Sequence, residues 1–189
     1  MQEQSFEIED ITIEEYFNLE NTDDYDIFLE AIKANNSFAG HTFDVNSITY
    51  NQMEVLKNTF KNPDMSNIFY IFVLLFKIQG NFKQNKEEIF YNQSIFDLFR
   101  AKRFLQEFLI SKIETENKML QGVPDDKMMM INGYERLAPV SFLLSKIRLA
   151  EQFNTTPDVV GGWKYNTVFS YLIANKINSD IQTEYQKLK

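Results

Sequence analysis

The side chains that carry most enzyme chemistry are scarce in this chain. It has no cysteine and a single histidine, His41, which excludes thiol nucleophiles, disulfides and metal sites built from cysteines or several histidines. Adjacent acids at Glu87–Glu88 and Asp125–Asp126 are the remaining candidates for acid–base catalysis. Neighbours in a helix point in different directions, however, and aspartates beside a glycine and a proline are typical of turns.

Motifs that bind phosphates, dinucleotides or catalytic zinc are also missing from the sequence. We therefore predict a protein that is not an enzyme, with no catalytic residue, no metal ligand and no cofactor. His41 is interpreted as a residue of a polar loop that contains Gly40.

One compact basic cluster consists of Arg100, Lys102 and Arg103, with Phe99 and Phe104 interleaved. Such a cluster can hold an anion beside an aromatic ring, or it can contact the chain's own acidic segment. The pattern is also what the solvated face of an amphipathic helix looks like, and this disfavours nucleic-acid binding.

The formal charge of −8 is concentrated at the start of the chain. Residues 1–30 hold 11 of the 27 acids and none of the 19 bases, whereas the remaining residues carry a small net positive charge. This acidic segment either binds a basic partner, covers a basic groove of the chain itself, or stays solvated, and charge runs favour the solvated interpretation. An acidic start lacks the basic region of a signal peptide, so we expect a cytoplasmic protein.

The elements that would position these residues are helices. Thr12 with Glu15, and Thr49 with Gln52, have the spacing of capping boxes. The most apolar run, Ile68–Phe76, is too short to span a membrane and is interpreted as a buried helix, because capping residues precede it and Gly80 follows it. We predict a predominantly all-α fold, a helical bundle of about six to eight helices.

Turn residues suggest two lobes. We predict an N-terminal helical lobe over residues 1–120, a linker over 121–136 and a C-terminal helical unit over 137–189. In the first lobe, Ile27, Phe28, Ala31 and Ile32 repeat at helical spacing. The linker includes an apolar Met-rich stretch that either packs on the body, which we favour, or forms an adaptable partner contact. In that unit one helical face runs from Leu137 to Phe153, and Thr156-Pro157 begins a short helix.

The last predicted helix carries a row of large apolar residues at every fourth position. A row of this kind must pack against another helix or another protein. We predict that it binds a partner together with the sole tryptophan, although Trp163 also fits a plug between the last two helices; the row and its anchor are Trp163, Phe169, Ile173, Ile177, Ile181 and Tyr185.

The C-terminal portion resembles phage tail assembly chaperones, small helical proteins that hold the tape-measure protein and recruit tail-tube subunits. The shared pattern is a helix, the turn at Thr156-Pro157 that begins a short helix, Trp163, and an amphipathic helix ending in Gln and Lys. The opening segment Ile11–Tyr16 also resembles the start of small phage morphogenesis proteins.

The resemblance implies a cytoplasmic assembly factor with tail or other virion proteins, or further copies of itself, as partners, and no membrane contact. Two alternatives stay open. One is a virion subunit of a neck, ring or connector, which would remain in the particle. The other is an enzyme or small-ligand protein with a pocket in the aromatic-rich middle of the chain.

Overall fold

A computed structural model describes residues 10–81, 83–122 and 129–188, and it is predominantly α-helical, which confirms the predicted fold class. The chain forms two compact units. Unit 1 comprises Met1–Phe43 and Thr59–Leu109, and unit 2 comprises Asp44–Asn58 and Ile110–Lys189. The residue bounds of these units differ from those of the predicted lobes, because unit 2 includes residues 44–58 as well as residues 110–189. Residues 123–128 of the predicted linker, including Asp125 and Asp126, lie outside the described residues.

Unit 1 contains short helices, one hairpin of two two-residue strands, and the start of a long helix. In chain order these are α1 (Ile13–Phe17), α2 (Asp23–Ala31), β1 (Ser37–Phe38), β2 (His41–Thr42), the end of α3 (Tyr50–Lys61), α4 (Met65–Leu75), α5 (Lys86–Tyr91) and the first part of α6 (Ile95–Leu120).

The apolar run at 68–76 is helical, as predicted. The Asp64 side chain caps α4 by accepting a hydrogen bond from the Asn67 backbone at 2.8 Å. The helix ends at Leu75, earlier than Gly80 suggested, because Lys77 takes the left-handed conformation with φ 54°. Phenylalanine rings fill the core around α4, with Phe38 at 4.8 Å from Phe72 and 5.4 Å from Phe90 between ring centroids.

The polar loop predicted around His41 is a small antiparallel hairpin. Ser37 pairs with Thr42 and Phe38 with His41, and Ala39 and Gly40 both have positive φ at the turn. Two consecutive positive φ angles match the twist that tight hairpins need. The sequence gives little sign of it because each strand has only two residues.

Unit 2 contains most of α3, the end of α6 and all later helices. These are α7 (Gly133–Leu137), a 3₁₀ turn (Ala138–Val140), α8 (Ser141–Gln152), α9 (Pro157–Gly161) and α10 (Tyr165–Lys187). The single helical face predicted from Leu137 to Phe153 is wrong, because Pro139 lies in the 3₁₀ turn and Leu137 and Val140 are exposed. The predicted start of α9 is confirmed, since the Thr156 hydroxyl accepts a hydrogen bond from the Val159 backbone amide.

Unit 1 is built around a junction between the segments that precede α1 and α6. Thr12 forms an isolated antiparallel bridge with Ser94, and the Ile13 and Ile95 amides each donate across it at 2.9 Å. Thr12 also forms the predicted capping box with Glu15. One short pairing therefore fixes where both helices begin.

Unit 2 repeats this junction with different residues. Thr49 bridges Lys164 just before α3 and α10, and the Tyr50 and Tyr165 amides donate across the bridge at 2.9 and 2.8 Å. Thr49 and Gln52 exchange the two hydrogen bonds of the predicted capping box.

The short helix before each bridge is also repeated. Asn85 caps α5 and Thr156 caps α9. Phe90 and Val160, each four residues before the bridge, are fully buried. The two units are thus two versions of one arrangement, a threonine-capped helix paired with a short helix and a long one.

Candidate functional site

The predicted partner-binding row lies on α10, whose first turns are firmly held within unit 2. Tyr165 and Val168 are buried, and the Tyr165 ring stacks on Phe169 with centroids 5.8 Å apart. Farther along, the Asn175 side chain donates to Gln152 Oε1 at 2.9 Å. This end of the helix is core rather than a free surface.

A shared carboxylate ties α10 to two other segments of unit 2. The Glu116 carboxylate accepts hydrogen bonds from Lys57 Nζ, at 2.7 and 2.8 Å, and from the Tyr165 hydroxyl, at 2.7 Å. Burial, and after it the hydrogen bond to Glu116, raises the pKa of Tyr165 above its usual value. The phenol therefore remains a neutral donor, and the group works as a structural tie.

Trp163 is half-buried in an aromatic group. Its ring lies 5.3 Å from Phe153 and 6.1 Å from Tyr171, and Phe153 and Tyr171 are 4.7 Å apart. The structure therefore places this tryptophan in the plug arrangement that the sequence left open, and gives it a packing role inside unit 2.

The predicted row divides into a packed half and an exposed half. Phe169 and Ile173 are half-buried, whereas Ile177, Ile181 and Tyr185 are 53%, 55% and 57% exposed. Every residue from 177 to 188 is exposed. The structure thus keeps three of the six predicted residues on one accessible surface, which we call the α10 tail row.

Helix geometry explains why the row changes from packed to exposed along its length. A step of four residues exceeds one turn of 3.6 residues, so each step rotates the side chain by about 40°. Between Phe169 and Tyr185 the row therefore turns through about 160°. A row that begins against the core ends on the opposite side of the helix, and the sequence spacing alone does not reveal this rotation.

The predicted basic cluster lies on α6 in unit 1, and its three members have different surroundings. Arg100 pairs with Asp97 at 3.2 Å. Arg103 donates to the backbone carbonyls of Glu30, at 3.0 Å, and of Ile32, which are the last acceptors of α2. The Arg103 side chain therefore contacts backbone carbonyls at the end of the acidic segment, not the carboxylates of that segment.

Lys102 lines an open pocket of about 430 Å³ in unit 1. The other lining residues are Asp26, Leu29, Glu30, Phe99, Arg103 and Gln106. Burial lowers the pKa of Lys102, and its Nζ lies 5.1 Å from the centre of the Phe99 ring. Asp26 accepts hydrogen bonds from Tyr16 and Thr22, which lower its pKa. Two acids and two bases balance, so the pocket selects neither anions nor cations.

The remaining candidates for chemistry have ordinary surroundings. Glu88 completes a capping box with Asn85 at the start of α5, and His41 is exposed on β2. Within residues 10–81, 83–122 and 129–188 there is no group of three or more His, Asp or Glu side chains arranged to hold a metal ion.

Two apolar segments that were expected to be packed are exposed in the structure. Of the predicted apolar row Ile27, Phe28, Ala31 and Ile32, only Ile32 is buried; the other three are exposed, and Leu29 is buried as well. Met129 to Ile131, the described part of the Met-rich stretch, is exposed rather than packed on the body. Leu29 and Ile32 are both buried, and their spacing of three residues is the feature of the sequence that marks this face of α2.

No protein-family model, no curated protein and no solved structure matches this chain. Among the described residues, no helix combines the length and the apolar character needed to cross a membrane.

Proposed function

We propose that this chain is a non-catalytic protein-binding assembly factor of the type represented by phage tail assembly chaperones. In this proposal it holds a tape-measure or tail-tube protein in the cytoplasm of the host cell until the tail assembles. The observation that carries the proposal is the α10 tail row, a line of large apolar side chains on an exposed helix end.

The mechanism is helix-in-groove binding. Ile177 and Ile181 are one turn apart and both more than half exposed. Burying an isoleucine side chain fully contributes about 1.5–3 kcal/mol, so a partner groove that covers both gains substantial binding energy. The packed half of α10 holds the exposed half in helical form, which reduces the entropy lost on binding.

The proposal is tested by recovering partners from the native cells with the tagged full-length chain. The comparison is with Ile177→Ser combined with Ile181→Ser, which changes only exposed positions; Ile173 is unsuitable because it is half-buried. Tyr70→Ser, at an exposed residue of α4, is the control. We expect wild type and control to recover tail-tube or tape-measure protein, and the double variant to lose at least about nine tenths of it.

Other outcomes point to the alternatives. Recovery with portal or capsid proteins, and presence in finished particles, would indicate a virion neck, ring or connector subunit. Equal recovery by the double variant would place the binding surface elsewhere. Absence of any partner would contradict both assembly functions and direct attention to the pocket at Lys102.

A further inference from the structure

The outer face of α2 in unit 1 is a second apolar surface, whereas the α10 tail row belongs to unit 2. Asp23 and Asp24 lie one turn before Ile27 and Phe28, so these four residues share one side of the helix. All four are exposed, and Ile27 is the most exposed of them at 73%. Leu29 is the only buried residue of the helix.

In unit 2 the end of α6 packs on the threonine-capped helix α3. There residues 110–120 of α6 lie against α3 and the first turn of α10, and Glu116 and Lys112 bond to those helices. In unit 1, α2 lies against α1 and the first turns of α6, through Tyr16 with Asp26 and through Phe28 with Phe96 at 5.2 Å. Burial of Leu29 and the contact of Phe28 with Phe96 therefore account for the packing of α2, and neither involves Ile27.

The charge around this face decides the class of partner. Residues 10–32 contain eight acids and no lysine or arginine. Asp23 and Asp24 in the first turn favour the helix through its dipole, but that role does not explain the exposed Ile27 beside them. Phe28 contacts Phe96 on one side and keeps 45% of its exposure on the other. An apolar pair framed by carboxylates is complementary to a helix that carries leucine-like residues flanked by lysine or arginine.

We propose that the outer face of α2, formed by Asp23, Asp24, Ile27 and Phe28, binds a basic amphipathic helical segment of a partner protein. The apolar pair supplies the buried contact, and the two aspartates select a basic partner and orient it. This site lies in unit 1 and the α10 tail row lies in unit 2, so the two proposed surfaces are formed by different residues.

The test uses the full-length chain and a labelled leucine–lysine peptide of about 15 residues whose leucines follow helical spacing. A peptide with the same residues in scrambled order has equal charge but no apolar face. By fluorescence anisotropy at physiological salt, we expect the amphipathic peptide to bind at least about tenfold more tightly than the scrambled one. Ile27→Ser and the pair Asp23→Asn with Asp24→Asn should each weaken its binding by about tenfold.

Matched controls separate this site from general attraction to an acidic protein. Tyr70→Ser removes an exposed apolar side chain elsewhere in unit 1, and Glu114→Gln with Glu151→Gln removes two exposed carboxylates of unit 2. These controls should leave the affinity within about twofold. Circular dichroism checks that each variant is folded. If the aspartate variant loses helix, the Ile27→Ser variant still tests the site, because it changes only an exposed side chain.

Three results would overturn the inference. Equal binding of the two peptides would show attraction by charge alone, and equal losses in Ile27→Ser and Tyr70→Ser would exclude this face. Self-association of the wild type that Ile27→Ser abolishes would make a second copy of the chain the occupant. A loss confined to Ile177→Ser with Ile181→Ser would move the peptide site to the α10 tail row, which would leave the proposed function standing.

Discussion

Glu116 shows how a single residue can hold several segments of a unit together. Its carboxylate accepts hydrogen bonds from Lys57 and Tyr165, and the Lys57 and Glu116 side chains keep only 28% and 20% of their exposure. If the carboxylate is removed, the amine and the hydroxyl remain partly buried without a hydrogen-bond acceptor. Their lost hydration is then not compensated, and the unit is destabilised.

We predict that Glu116→Ala lowers the free energy of unfolding by about 1–3 kcal/mol, because it leaves Lys57 and Tyr165 without their acceptor. Urea denaturation followed by the fluorescence of Trp163, the sole tryptophan and itself in unit 2, measures the change. Glu114→Ala, at an exposed acid two residues away on α6, should change stability by less than about 0.5 kcal/mol. Equal effects of the two substitutions would contradict the role assigned to Glu116.

Tyr50 makes the stability of the chain sensitive to alkaline pH. Its ring stacks on Phe142 at 4.4 Å, and burial raises its pKa from 10.0 to about 12. The folded state favours the neutral phenol, so this stabilisation is complete below pH 10, where the phenol is neutral in the unfolded chain too, and it is lost as the pH rises towards 12.

We predict that Tyr50→Phe flattens the decline of stability between about pH 9 and pH 12 by up to about 2–3 kcal/mol. Urea denaturation at several pH values, followed by circular dichroism, measures the slope without interference from ionised tyrosine fluorescence. Tyr70→Phe, at an exposed residue, controls for the loss of one hydroxyl. An identical slope in wild type and Tyr50→Phe would show that Tyr50 ionises equally in both states.

At the scale of the element, the sequence predicted helix starts better than helix faces. The capping boxes at Thr12 and Thr49 are local, depend on residues three apart, and appear as expected. The run in α4 has apolar residues on every side, so its periodicity was ambiguous, but Asp64 before it identified the helix correctly. In the structure its buried residues follow one helical face: Ile68, Ile71, Phe72 and Leu75.

Which face of a helix is buried depends on neighbours that are distant in the chain. In α2 the row at Ile27 and Phe28 had helical spacing, yet Leu29 is the residue that faces the body. In α10 the fourfold spacing hid a rotation, so Phe169 and Ile181 do not share one surface. The row predicted on α10 therefore contains both packed and exposed residues.

At the scale of the whole molecule, the repeated junction relates the two units. Ile11-Thr12-Ile13 and Ile48-Thr49-Tyr50 begin the threonine-capped helix of each unit, and each threonine bridges the residue before a long helix. The recurring pattern is an isoleucine, a threonine, and an acid or amide three residues after the threonine, too short and too common to reveal a repeat from sequence alone. Only the backbone pairing makes the equivalence visible.

The repeated junction predicts similar energetic roles for the two threonines. Thr12→Ala and Thr49→Ala each remove the hydroxyl that accepts a backbone hydrogen bond, from Glu15 at 3.1 Å and from Gln52 at 3.2 Å. We expect each substitution to lower the free energy of unfolding by about 0.5–2 kcal/mol, measured by urea denaturation. Thr183→Ala is the control, since that hydroxyl only donates to the Ser179 carbonyl on the exposed end of α10, and it should change stability by less than about 0.5 kcal/mol. If Thr12→Ala were as neutral as this control while Thr49→Ala was costly, the junction would stabilise unit 2 alone and the two units would not be energetically equivalent.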